Sequence, residues 1–293
     1  MSELRELATE DREACAVRGL PSHTIDSYRV TLTHLVRHFP DAGPEDINHR
    51  KVARFLAARR ETGDADTTLA NRHATLRAFW TWLVNEDEVE TNVVKRVPRP
   101  TVKRTPVPLV AEDGVSAMLR LSNRTPFLTH RNRAILFVLF DCGVRVGELV
   151  SIELKGVDWT HLMIRVSGKS GKRDVPFGKA TASALRRYLR HRSRHPQSDS
   201  PYLFVGTNES LHRDTVLKMV RRYAERADVG RVWPHKLRHS WVDALLRSGA
   251  SVMDAQYLGG WSSPQQVMTR YGIAGKRERA IAAHRKHSPG DRL

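Results

Sequence analysis

Only two cysteines, Cys15 and Cys142, occur in 293 residues, and neither has a second thiol nearby in sequence. A disulfide framework and a cysteine-rich zinc site are thereby excluded, and a reduced, cytoplasmic setting is expected. No apolar run approaches the length of a bilayer-crossing helix, so no membrane partner is expected. The opening Met1-Ser-Glu-Leu-Arg-Glu6 shows no signal or transit pattern. No internal repeat or low-complexity tract appears. Acidic residues are the other shortage, 32 Asp and Glu against 49 Lys and Arg, for a formal charge of +17.

That excess is unevenly placed. Residues 1–100 carry 15 basic and 16 acidic side chains, whereas residues 101–293 carry 34 and 16. Basic residues that are mostly arginine and spread along the chain point to nucleic acid as the polyanion, not to a membrane surface. Within the neutral first part, Arg50, Lys51, Arg54, Arg59 and Arg60 gather in one helical segment, while acids cluster at 3–13 and 86–90. A segregated basic face is expected there.

The length suits two domains. Helical periodicity runs over 22–39, with Ser22 placed to cap it, and again near 48–61 and 66–85. Four prolines and three basic residues lie in 97–108, which can be neither helix nor central strand and marks the boundary. Beyond it come a helix near 111–121, an apolar stretch over 134–140, a break at Gly143 and a helical segment from Arg145 to Ser151. The period then changes to two over 162–166, followed by a turn at 167–171 and a returning strand over 174–177. Helices resume over 179–194, 213–227, 235–248, 251–258 and 264–271, with a basic tail helix near 276–286.

Taken singly, the candidate functional residues are ordinary. Arg145 and Glu148, three apart at a helix start, have the pattern of a surface ion pair. Lys169 stands on a Gly-flanked turn, with Lys172 and Arg173 as basic neighbours. His235 and His239 have the spacing of a zinc pair, but the glutamate of a metalloprotease helix and a third ligand are missing, so no metal is expected. Arg-rich surroundings make His191 and His195 part of a solvated face. Trp261, after two glycines, and Tyr271, at a helix end, read as packing residues. As a set, they supply two guanidinium groups, an imidazole, an indole N–H and a phenol, which suits attack on a phosphodiester.

In order and spacing, the whole chain resembles the tyrosine recombinase family, which includes phage integrases and Xer recombinases. Its members place an arginine in a Gly-x-Arg-x-x-Glu-Leu helix, a lysine on a β-turn, a His-x-x-Arg helix, a Leu-Gly-His/Trp step and then a tyrosine. Here these positions are held by Arg145 in Gly143-Val-Arg-Val-Gly-Glu-Leu149, Lys169, His235 with Arg238, Trp261 in Leu258-Gly-Gly-Trp-Ser262, and Tyr271. The pattern Gly19-Leu-Pro-Ser-His-Thr-Ile-Asp-Ser-Tyr28, the run Leu76-Arg-Ala-Phe-Trp-Thr-Trp-Leu83 and the proline linker are similar to the family's core-binding part. The spacing departs in two places: Trp261 to Tyr271 is one residue long, and the Lys169 turn one residue short.

The resemblance implies a mainly α fold with a small antiparallel β-sheet in a two-domain architecture. A helical, SAM-like core-binding domain would cover 1–97, a basic linker 98–108, and an α+β catalytic domain 109–293. It implies site-specific recombination through a 3′-phosphotyrosyl intermediate, with neither cofactor nor metal. Tyr271 would be the nucleophile, His235 its base, Lys169 the general acid, and Arg145 and Arg238 the phosphate clamp. Trp261 would hydrogen-bond a phosphate oxygen, and Glu148 would orient the arginine helix. Expected partners are double-stranded DNA with inverted core-type half-sites, three further copies in a synaptic tetramer, and an accessory directionality protein. Arg50, Lys51, Arg54, Arg72, Arg77, Lys103, Arg104, Lys172 and Arg173 are the expected DNA contacts, and binding should weaken steeply with salt. No arm-binding domain is expected ahead of the helical domain, and the tail after Tyr271 is expected to dock on a neighbour. A mobile-element integrase is the favoured role. Xer-type dimer resolution comes next and a non-catalytic DNA-binding regulator is a poorer rival, as is a type IB topoisomerase.

Overall fold

Contacts divide the chain into two units, Met1–Thr105 and Pro106–Leu293. The computed structural model describes residues 3–102, 109–168, 171–207, 211–271, 281, 284 and 285. Lys103, Arg104, Lys169 and most of the expected tail helix lie outside the described residues. The architecture is the expected one, helices with one small antiparallel sheet.

The first unit starts with a helix that the periodicity reading left out, α1 (Glu3–Val17). Its buried stripe is Leu4, Leu7, Asp11 and Cys15, and the aspartate interrupts the apolar pattern that would have revealed it. Burial pushes the Asp11 carboxyl up, against the pull of Arg18. The next three helices are α2 (Ser22–His38), α3 (His49–Glu61) and α4 (Asp66–Asn85). Ser22 does not cap α2: Pro21 holds that position and makes no side-chain bond. Asn48 does cap α3, accepting from the Arg50 and Lys51 N–H groups at 3.1 Å. Leu35, Val52, Phe55, Leu76, Phe79, Trp80 and Leu83 close the core between them, each contributing about 1.5–3 kcal/mol by leaving water.

The expected basic face on α3 is partly spent inside the unit. Arg59 grips Asp64 through two bonds of 3.0 Å, and Arg60 meets Asp66 at 3.0 Å. Arg72, expected among the DNA contacts, is corrected by the structure: it is 6% exposed and donates to Asp64 at 2.6 Å. Arg50, Arg54 and Arg77 remain exposed, and Lys51 is half-buried. Hydrogen bonding from Arg59, joined by Arg72, lowers the Asp64 pKa to about 2 despite burial. A depressed carboxylate stabilises the fold above its unfolded pKa of about 3.9 and loses that contribution as pH falls towards 2. Urea unfolding of the wild-type chain and Asp64→Asn should therefore differ clearly at pH 5 and converge near pH 2.

In the second unit, α5 (Glu112–Arg120) leads to α6 (Pro126–Asp141), whose first turn carries Pro126 after the Thr125 cap. A short helix, α7 (Val146–Val150), follows the break at Gly143. The sheet is β1 (Val157–Asp158), β2 (Met163–Gly168) and β3 (Gly171–Pro176), antiparallel in that order. Ile164 pairs with Val175 and Val166 with Arg173, so Ile164, Val166 and Val175 turn inward while Arg165 and Asp174 pair on the outer face at 2.9 Å. Gly168 faces Gly171 at the end of the β2–β3 pairing.

Helices α8 (Lys179–Arg192) and α9 (Arg213–Arg226) complete the main core with α6 and the sheet. Asp141 ties α6 to α8 by accepting from the Gly178 N–H at 2.7 Å and the Thr181 hydroxyl at 2.5 Å. The chain ends its described helices with α10 (Pro234–Arg247), α11 (Val252–Gly259) and α12 (Pro264–Tyr271). Leu237 of α10 joins the main core, but Trp241, Val242 and Leu246 form a separate small core with Ala255, Val267 and Tyr271. Thus α10 belongs to both, and Arg238 sits where they meet. Among the described residues, no helix is long and apolar enough to cross a membrane.

Candidate active site

Glu148 organises the site. It lies at the third position of α7, and its carboxylate accepts from the Arg145 backbone N–H at 2.9 Å, closing the helix start. It also accepts from the Arg145 guanidinium at 2.9 Å and, through both oxygens, from Arg173 of β3 at 2.9 Å each. The carboxylate is 2% exposed, so this is no surface ion pair. Burial works against its charge, and the hydrogen bonds from Arg173 and the Arg145 backbone outweigh it, holding the pKa below the ordinary range.

The turn after α11 provides the opposite wall. Gly260 caps that helix at φ +64°, a left-handed conformation that turns the last carbonyls of α11 towards the arginines. Arg173 donates to the Leu258 carbonyl at 2.8 Å, Arg145 to Gly260 at 3.0 Å, and Arg238 to Gly259 at 2.6 Å. Arg238 also donates to the Gly143 carbonyl. Gly143 has φ +58°, and a Cβ there would stand 2.0 Å from the Trp241 ring. Only glycine fits, and its carbonyl is thereby aimed at Arg238.

Three guanidinium groups thus gather around one carboxylate. Arg238 is 1% exposed, and its Nε has no hydrogen-bond partner among the described residues. Burial first, and then the neighbouring Arg145 charge, pull its pKa down to about 9. The group stays charged at neutral pH, and among the described residues it has no salt bridge of its own, the nearby Glu148 being paired with Arg145 and Arg173. The indole of Trp261 lies over it, 3.9 Å from guanidinium carbon to ring centroid. Arg145, 40% exposed, opens into a cleft of about 760 Å³ lined also by Gly147, Ser167, Gly168, Arg213 and Trp261. An excess of fixed positive charge on the wall of such a cleft is suited to an anion. Tyr271 is 3% exposed beside this group, with its ring 6.3 Å from that of Trp261 and its hydroxyl hydrogen-bonded to Nδ1 of His239.

Residues 109–276 match the model of the phage integrase family, and residues 15–87 that of the phage integrase N-terminal SAM-like domain. The chain belongs to the phage integrase family of tyrosine recombinases. Tyrosine recombinase XerC of Chromobacterium violaceum is 31% identical over 262 residues, covering 88% of this chain and 87% of the relative. Tyrosine recombinase XerA of Thermococcus kodakarensis is 32% identical over 281 residues, covering 93% of each. The fold is similar to that of the Tn1549 transposon integrase in complex with transposon right-end DNA, with a TM-score of 0.78, 17% identity, and coverage of 98% and 99%.

In the recombinase, Arg145, Glu148, Arg238, Trp261 and Tyr271 come together, drawn from α7, α10, the turn after α11, and α12. His235 is exposed one turn before His239, its ring 4.2 Å from that of His239. Lys172 is exposed on β3. Arg173 requires a correction: expected beside it as a DNA contact, its side chain is 8% exposed and committed to Glu148 and Leu258. Strand alternation held the signal, since Arg173 is two residues before the inward Val175 and shares its face. The sequence reading also gave no role to His239, although its four-residue spacing from His235 placed both on one side of α10. Among the described residues, no cluster of three or more His, Cys, Asp or Glu is placed to hold a metal ion.

Proposed function

We propose that this tyrosine recombinase cleaves and rejoins double-stranded DNA at specific sites through a 3′-phosphotyrosyl intermediate on Tyr271. The observation that carries the reading is the buried, counter-ion-poor Arg238 with its unpartnered Nε, beside Arg145 and a tyrosine hydroxyl. A phosphodiester supplies the missing anion. Its pentacoordinate transition state carries more charge on the non-bridging oxygens, and the forked donors of Arg145 and Arg238 oppose that charge directly. Trp261 holds the Arg238 plane, and Glu148 with Arg173 holds Arg145. Lys169 protonates the departing 5′ oxygen, by resemblance to the family, and His235 is the base candidate that the sequence offers for the phenol. Both steps are transesterifications, so the energy of the broken bond is kept in the phosphotyrosine.

Arg50, Arg54, Arg77 and Lys172, exposed on their elements, with Lys51, Lys103 and Arg104, would contact DNA phosphates on either side of the cleavage point. Strand exchange between two duplexes calls for four copies, on inverted half-sites, in the cytoplasm at the nucleoid, with an accessory protein to set direction. For the biological role we favour movement of a mobile element, on the two departures in motif spacing. Dimer resolution is the second reading, supported by the Xer names of the curated relatives. The chemistry is tested with a nicked suicide duplex, whose short 5′ fragment diffuses away after cleavage. A covalent adduct that maps to Tyr271 after proteolysis is the expected product. Intact protein that binds the duplex and forms no adduct would establish the regulator reading instead. Sequencing the junctions made with candidate attachment sites separates the two roles.

A further inference from the structure

The hydroxyl of Tyr271 is hydrogen-bonded to Nδ1 of His239, and the two rings lie 5.4 Å apart between centroids. His239 is 6% exposed and directly follows Arg238 on α10. Consecutive residues of one helix therefore hold the buried phosphate-seeking charge and the phenol oxygen. Trp261 links them from the other side, over Arg238 at 3.9 Å and against the Tyr271 ring at 6.3 Å. The imidazole is thus already on the reacting atom.

We propose that His239 is a further catalytic residue of this site, the group that accepts the phenolic proton during cleavage. The inference rests on Tyr271 being the nucleophile. An unperturbed phenol has a pKa of about 10 and is a weak nucleophile near neutrality, whereas an imidazole of pKa about 6.5 is a neutral acceptor there. In the resting protein the phenol O–H donates to Nδ1, and the ring proton of His239 is on Nε2. As the tyrosine oxygen bonds to phosphorus, its proton passes to Nδ1 and the bond from phosphorus to the 5′ oxygen breaks. That oxygen takes a proton from the site's general acid, the role assigned to Lys169. Rejoining runs the same path backwards: the DNA 5′ hydroxyl attacks, and the imidazolium returns its proton to the departing phenolate. His235, exposed one turn earlier on α10, is left to the phosphate.

Single-turnover cleavage of the nicked duplex tests this on the full chain. His239→Asn keeps a hydrogen-bonding atom near Nδ1 but cannot take up the proton. It should bind the duplex normally and cleave about 10² to 10⁴ times more slowly. Installing 3,5-difluorotyrosine at position 271, whose phenol is more acidic, should restore most of the rate lost in His239→Asn and little of that lost in His235→Asn. A His239→Asn protein that cleaves at the wild-type rate or faster overturns the proposal and makes the hydrogen bond a resting lock. A defect that fluorination leaves unchanged overturns it in favour of a packing role, and rescue of His235→Asn instead moves the role to His235. Nitrogen-15 NMR of histidine in the unsubstituted protein provides a readout free of variants, with Nε2–H expected and Nδ1–H overturning the assignment. Covalent adduct formation by Tyr271→Phe would instead defeat the nucleophile reading on which the inference stands.

Discussion

Tyr271→Phe should form no covalent adduct with a nicked duplex while retaining DNA binding close to that of the wild-type chain. The substitution removes one oxygen and leaves the ring, so the small core of Trp241, Val242, Leu246, Ala255 and Val267 keeps its packing. It does remove the phenolic hydrogen bond of the buried His239, at a cost of about 0.5–1.5 kcal/mol. That cost would appear as a lower melting temperature, not as weaker DNA binding. Adduct yield by denaturing gel and affinity by gel shift read the two effects separately. No other tyrosine follows Trp261 in the chain, and a residual adduct would have to be mapped to another nucleophile.

Arg238→Lys should slow cleavage by about 10² to 10³, the loss seen when one preorganised donor to developing charge is removed. The guanidinium uses separate nitrogens for the carbonyls of Gly143 and Gly259, keeps Nε in reserve, and sits over the Trp261 ring at 3.9 Å from its centroid. An ammonium is a point charge that cannot span these positions or stack as a plane. Charge alone is preserved, so the salt dependence of binding should change little. Single-turnover cleavage alongside a salt titration of affinity distinguishes this from a general electrostatic loss, in which binding would weaken in parallel.

Much of the catalytic unit was legible because its motifs are local. The arginine, the His-x-x-Arg step, the glycine pair with its tryptophan and the tyrosine each announce a helix end or a break, and periodicity fixed the helices between them. The connections among them were not legible. That Arg173 serves Glu148 depends on the register of β3 against β2 and on the approach of α7, which no local pattern encodes. That His239 meets Tyr271 depends on how α10 and α12 pack, 32 residues apart in sequence. In the first unit, α1 was hidden by a buried aspartate, and Arg72 read as a surface cation because its partner Asp64 lies in the loop before α4.

Tyr271 is seated in a small core of its own, made by three helices at the end of the described fold and joined to the main core through α10. Few apolar side chains hold such a module, so it can open at a lower free energy than the rest of the unit. The tyrosine's availability is then a population as well as a position. Substitutions at Leu246 or Ala255, which touch no phosphate, can alter turnover by changing how often the last helices are seated. A neighbouring molecule that binds only the seated or only the unseated form would set that fraction in proportion to its preference, and the timing of strand cleavage would pass from the chemistry to the assembly.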